Sequence, residues 1–231
     1  LVYNEEVKID NVLGKDFYPK LDKSEAQIYD GLDYRHWDTW NEGNHNHVGF
    51  AEVNKADSIF DIMKGEPFDS PQKPYGGSED FVWSPDSSKV LYVCKKKSGK
   101  DYATSTNTDI YAYDLTSRKT ENWTEGMMGY DVNPKFSPDG KSLLWQSMAR
   151  DGYEADKNDI VVMDLASKKI TNLTKSWDES VVGDVAWSPD SKNIYFSTAY
   201  RGVKQLFHIG LDGKVKQISG GNFDVNEIIA F

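Results

Sequence analysis

The chain has 231 residues, 38% of them hydrophobic, with 27 Lys+Arg against 37 Asp+Glu and a formal net charge of −10. That length can bury a sizeable core. The acidic balance argues against nucleic acid as a partner, because phosphate contacts need a basic surface, and no apolar run approaches the roughly 20 residues of a membrane-spanning helix.

In chain order, Val2 to Ile9 alternates apolar and polar residues as a half-buried strand does. Asp22-Lys-Ser-Glu25 is a capping box ahead of a short helix that stops at Gly31. Tyr34-Arg-His-Trp-Asp-Thr-Trp40 is polar and aromatic, His47 to Val53 reads as a strand, and Ser58 to Lys64 is another apolar–polar run. Gly65 to Ser78, with three prolines and three glycines, is a loop. Cys94 is the single cysteine, so no intrachain disulfide forms and the redox compartment stays open.

From residue 80 the chain repeats. Phe81-Val-Trp-Ser-Pro-Asp86, Pro134-Lys-Phe-Ser-Pro-Asp-Gly140 and Val185-Ala-Trp-Ser-Pro-Asp190 share one turn, with 53 residues from Ser84 to Ser137 and 51 from Ser137 to Ser188. Each turn is followed by three β-rich runs, for example Lys89–Val93, Asp109–Leu115 and Glu121–Thr124. Four strands in about 50 residues is the signature of a propeller blade. The expected fold is therefore all-β: a partial propeller of four-stranded antiparallel blades, with about four to five blade units. The units are expected over 80–130, 131–182 and 183–221, with partial, irregular blades over 1–79 and the start of another over 222–231. An open set of blades implies a piece of a larger protein.

Proline presets φ in each Ser-Pro-Asp turn, and Gly140 supplies a left-handed position in the middle copy. Trp83, Phe136 and Trp187 share a place in the innermost strand and are expected to pack between blades. Asp80, Asp131 and Asp184 recur ahead of that position, and Asp114 and Asp164 end third strands. One copy per repeat points to loop-closing hydrogen bonds rather than catalysis. The sequons Asn122-Trp-Thr124 and Asn172-Leu-Thr174 fall at one blade position, which points to repeat inheritance. Lys95-Lys-Lys97 reads as a solvated loop.

The loops that break the repeat are better functional candidates. Between second and third strands they run 14 residues at Lys95–Thr108, 11 at Met148–Asn158 and 6 at Ala199–Lys204. Arg150, Tyr153, Glu154 and Asp156 form a charged, aromatic cluster that either meets a substrate or partner domain or is an ordinary loop salt bridge. His36, His45 and His47 lie close together in sequence, and His-x-His puts two rings on one strand face. A zinc site is one reading and a hydrogen-bonded polar loop is the default, so neither metal nor cofactor is expected.

Tyr34-Arg-His-Trp-Asp-Thr-Trp40, Met148-Ala-Arg-Asp-Gly-Tyr-Glu-Ala-Asp-Lys157 and the Ser-Pro-Asp blades together resemble the propeller of prolyl oligopeptidase family serine peptidases. The resemblance is nearest to the acylaminoacyl-peptidase and dipeptidyl-peptidase-5-like branch. It implies a propeller that gates short peptides for a C-terminal α/β-hydrolase domain, and a periplasmic or secreted setting. It adds Arg35, His36 and Trp37 to the Arg150 cluster as candidates for substrate binding or a domain interface. No catalytic residue is expected in this chain: a nucleophile elbow reads Gly-x-Ser-x-Gly, and Gly76-Gly-Ser78-Glu-Asp80 lacks the second glycine. TolB-like propellers share the Ser-Pro-Asp blades, which keeps a pure protein-binding module as the alternative.

Overall fold

The computed structural model describes residues 2–6, 20, 23, 28–29, 32, 34–41, 43–54, 58–73, 76–181 and 183–229. Among the described residues five strands precede the clear repeat: β1 (Val2–Glu6), β2 (Arg35–His36), β3 (Thr39–Trp40), β4 (Asn44–Phe50) and β5 (Phe60–Asp61). β1, β4 and β5 form one three-stranded sheet, while β2 and β3 pair as a separate hairpin. The strand expected from His47 thus begins at Asn44 and ends at Phe50. The capping box and most of the helix expected before Gly31 lie outside the described residues.

Three four-stranded antiparallel sheets follow. The first is β6 (Phe81–Trp83), β7 (Lys89–Cys94), β8 (Asp109–Asp114) and β9 (Thr120–Asn122). The second is β10 (Asp131–Phe136), β11 (Ser142–Ser147), β12 (Asp159–Asp164) and β13 (Ile170–Asn172). The third is β14 (Val185–Trp187), β15 (Asn193–Tyr200), β16 (Val203–Gly210) and β17 (Val215–Gln217). Each runs in sequence order, as in a propeller blade. Residues 223–229 form no strand, and 230–231 lie outside the described residues.

The Ser-Pro-Asp turn is a hydrogen-bonded unit built three times. Ser137 Oγ donates to Asp139 Oδ1 at 2.7 Å and accepts the Ser142 amide at 2.9 Å, and the Lys141 amide donates to Asp139 Oδ1 at 3.1 Å. Ser84 with Asp86 and Lys89, and Ser188 with Asp190 and Asn193, repeat the pattern. The fourth turn residue is left-handed in every copy: φ is 57° at Ser87, 69° at Gly140 and 60° at Ser191. The serine donor holds the Asp86 carboxyl down to about 2. Ser137→Ala is expected to cost about 1–2 kcal/mol in urea denaturation, because it strands a buried amide and a carboxylate together; Ser137 is 2% exposed.

The two sequons have the same kind of explanation. Thr124 Oγ1 accepts the Ile110 amide at 3.0 Å and Thr174 Oγ1 accepts the Ile160 amide at 2.9 Å. Both hydroxyls also donate to the aspartate that opens the third strand, Asp109 or Asp159. Asn122 Oδ1 and Asn172 Oδ1 accept the amide of that threonine. Asn-x-Thr here ties the fourth strand to the third.

The core lies between sheets, and period-two alternation assigns each face. Val90, Tyr92 and Cys94 of β7 pack back on Val48, Ile62 and Met63. Leu91 and Val93 pack forward on Leu143, Trp145, Val161 and Met163. Leu144, Ile160 and Val162 then meet Val185, Trp187, Phe196 and Phe207 of the third blade.

Two expectations change. Trp187 is 6% exposed but Trp83 is 47% exposed. Trp187 faces a complete blade, whereas the sheet beside Trp83 offers the edge of Phe50 at 6.1 Å. The six-residue loop expected at Ala199–Lys204 is a two-residue turn, Arg201-Gly202, with φ of 54° and 87°. Two consecutive left-handed residues match strand twist in a tight hairpin, so β15 and β16 extend to meet each other.

Candidate functional site

The repeat-breaking segments converge. The 14-residue loop after β7 carries a short helix, α1 (Gly99–Thr104), and the loop after β11 folds against it. Asp151 Oδ1 accepts the Ser105 hydroxyl at 2.6 Å and the Thr106 and Asn107 amides at 2.8 and 3.1 Å. Burial pushes the Asp151 carboxyl up, but those three donors outweigh it and leave it below its ordinary value. Gly152 has φ 71°, and a Cβ there would meet Thr104 O at 3.1 Å, so glycine permits this close approach.

The cleft that results has a volume of about 700 Å³. His36 of the β2–β3 hairpin, Lys73, Glu79 and Asp80 of the segment before β6, Tyr102 of α1 and Glu154 line it. Its charges are divided: Lys73 and Lys95 are cations, and Glu79, Asp80 and Glu154 are acids. Burial, reinforced by Glu79 and opposed by the Gln72 amide, pushes the Asp80 carboxyl up to about 6. Asn133 and Gln146 lie at the inner wall; Asn133 Nδ2 donates to Gln146 Oε1 at 3.0 Å, and Asn133 has φ 57° at a register shift in β10.

A second cleft of about 320 Å³ lies between the hairpin and α1, lined by Arg35, His36, Trp40 and Tyr102 among others. A third, of about 540 Å³, has Glu154 and Asp156 in its wall. Of the residues singled out in the sequence, His36 and Glu154 therefore reach the large cleft and Arg35 the smaller one. Arg150 and Tyr153 line none of these three. Arg150 binds Asp156 through two nitrogens at 3.1 and 2.9 Å and lies 4.0 Å from the Tyr153 ring centroid. The Asp156 partner raises the Arg150 pKa, and Arg150 in turn lowers that of Asp156. Trp37 caps the hairpin, 75% exposed and with φ 51°.

The histidines separate. His45 Nδ1 meets Asp69 Oδ2 at 3.0 Å, while His47 meets Asp61 Oδ2 at 2.9 Å and the Glu66 carbonyl at 2.9 Å. Among the described residues no three His, Cys, Asp or Glu side chains gather as a metal site. The recurring aspartates find different partners: Asp131 accepts Trp145 Nε1 at 2.8 Å, Asp184 pairs with Lys135 at 3.3 Å, and Asp80 accepts the Gln72 amide at 3.4 Å.

The lysine run is not a solvated loop. Lys95 is 8% exposed with its ammonium 4.2 Å from the Tyr102 ring centroid. Lys96 binds Glu66 at 2.6 Å and Lys97 approaches Asp151 at 3.8 Å. The sequence does not mark Lys73, Lys95 or Tyr102 as site residues; the extra length of the 95–108 loop is a signal for Lys95 and Tyr102, and nothing comparable points to Lys73.

The family described as the TolB beta propeller domain matches residues 81–227. The dipeptidyl-peptidase 5 of Porphyromonas gingivalis is 48% identical over 212 residues, which are 91% of this chain and 31% of that protein. The chain thus spans about a third of that relative's length. Among solved structures, a puromycin-hydrolyzing peptidase from Mycobacterium tuberculosis superposes with a TM-score of 0.53 at 13% identity, covering 77% of this chain and 29% of that one. TolB from Acinetobacter baumannii superposes with a TM-score of 0.50 at 22% identity, covering 77% and 39%.

Proposed function

Because the chain belongs to the TolB β-propeller domain family, we propose that it is the non-catalytic propeller portion of a serine peptidase, gating and orienting short peptides for a C-terminal α/β-hydrolase domain. The carrying observation is the 48% identity to a dipeptidyl-peptidase 5 across nearly the whole chain. The site fits that role. Three segments foreign to the repeat line a cleft of about 700 Å³ whose wall carries both acids and lysines, and a short zwitterionic peptide is complementary to such a wall. A cleft of this volume holds a few residues of peptide and excludes a folded domain. The covalent step belongs to the partner domain, since no Gly-x-Ser-x-Gly elbow occurs here.

The reading is tested in the full-length protein with a dipeptidyl aminomethylcoumarin reporter. Glu154→Ala is expected to lower kcat/KM several-fold with the melting temperature unchanged, because Glu154 is an exposed cleft residue. Arg150→Ala is expected to lower the melting temperature by a degree or two, because it removes a staple internal to its loop. Full-length protein that cleaves no such reporter, yet captures a protein partner through the cleft, would favour the pure binding module instead.

A further inference from the structure

Most cations near the clefts are neutralised. Lys73 pairs with Asp69 at 3.1 Å, Lys96 with Glu66 at 2.6 Å and Arg150 with Asp156 at 2.9 Å. Arg35 differs. It is exposed, and among the described residues no carboxylate pairs with it. Its guanidinium carbon instead stands 5.6 Å from the Trp40 ring centroid.

That stack is built into the backbone. Arg35 and Trp40 are directly opposed partners in the β2–β3 register, and opposed residues on a hairpin put their side chains on one face. A guanidinium lying on an aromatic face keeps its N–H edge available, and that edge matches a carboxylate through two parallel hydrogen bonds. Arg118 and Arg201 also lie over rings, Phe60 and Tyr200, each at 5.1 Å; unlike them, Arg35 lines one of the three clefts.

The platform forms one side of the 320 Å³ cleft, and Tyr102 of α1 belongs to its lining as well. Lys95 lies against the Tyr102 ring, which adds a second cation beside the aromatic lining. Asp69 is the carboxylate in that lining, and it is already bound by His45, the Asn46 amide and Lys73. The cleft thus offers apolar surface from Trp40 and Tyr102 with net positive charge at its edge, complementary to an apolar side chain next to an anion.

We propose that the Arg35–Trp40 pair is a carboxylate receptor for short peptides. The guanidinium edge takes the carboxylate, and the apolar side chain beside that carboxylate enters the Trp40–Tyr102 cleft. This rests on the reading that short peptides enter at this end of the blades. A C-terminal carboxylate and an Asp or Glu side chain present the same chemistry, so the probes separate them.

The test is calorimetric titration of the full-length protein with acetyl-Gly-Phe and its amide, and with acetyl-Glu-Phe-amide and acetyl-Gln-Phe-amide. The wild type is expected to bind one acid about 10-fold more tightly than its neutral analogue, with the preference falling as salt rises. Which pair shows it identifies the carboxylate. Arg35→Gln is expected to erase the preference while leaving the neutral peptide within about 2-fold and the melting temperature unchanged. Trp40→Leu is expected to weaken both members of the pair. Equal affinity for acid and neutral peptide in the wild type, or a preference that survives Arg35→Gln, overturns the proposal. Reporter cleavage by the same preparation separates the two readings. Cleavage without an acid preference removes the receptor alone, and an acid preference without cleavage removes the peptidase assignment alone.

Discussion

Trp187→Ala is expected to destabilise the protein by about 3–5 kcal/mol, the range for deleting a large buried aromatic. Trp187 is 6% exposed and sits in the layer formed by Leu144, Ile160, Val162, Phe196 and Phe207. Its indole Nε1 donates to the Lys135 carbonyl at 3.0 Å, so truncation opens a cavity between two blades and also strips a hydrogen bond that crosses them. Trp83 at the matching repeat position is the internal control. At 47% exposure its loss is expected to cost about 1 kcal/mol. Trp123, half-buried with Lys168 4.0 Å from its ring centroid, is expected to fall between them. Urea midpoints for the three variants check the order; a Trp187 variant no weaker than the Trp83 variant would mean that the blades do not pack as described.

Asp131→Asn is expected to stabilise the protein above neutral pH and to leave it nearly unchanged near pH 4. Burial pushes the Asp131 carboxyl up to about 7, and the hydrogen bonds from Ser147 and Trp145 only partly offset it. The folded-state value lies above the unfolded value of 3.8, so the folded protein holds a proton that the unfolded chain gives up. The resulting stability is full below about pH 4 and is lost as pH rises through about 7. The loss is on the order of 4 kcal/mol. The amide of the variant has no proton to lose, and its carbonyl oxygen still accepts from Trp145 Nε1. Asp80, raised to about 6, adds a slope of the same sign in both proteins, so the difference between them isolates Asp131. Parallel pH–stability curves for the two proteins would contradict the burial argument.

Whatever the chain encodes locally, its sequence states openly. Each Ser-Pro-Asp turn is complete within six residues, from Ser84 to Lys89 in the first copy, so the three turns mark three four-stranded sheets. Arg150, Tyr153 and Asp156 are legible as a cluster for the same reason, and for the same reason they satisfy one another. The clefts depend instead on contacts between segments far apart in the chain. Nothing in Lys95-Lys-Lys97 announces that Lys95 will lie on Tyr102 while Lys96 reaches Glu66. Nothing near Trp83 tells that its neighbouring sheet carries a two-residue final strand. The Arg201-Gly202 turn is not legible in the sequence because it needs two left-handed residues in a row, and arginine gives no such signal.

A fluorophosphonate probe on the full-length protein, followed by peptide mapping, tests the proposal that this chain is scaffold and peptide gate for chemistry carried elsewhere. Labelling is expected at one serine outside the 231 residues and at none within them. Labelling at any serine of this chain, or an unlabelled full-length protein, would contradict it.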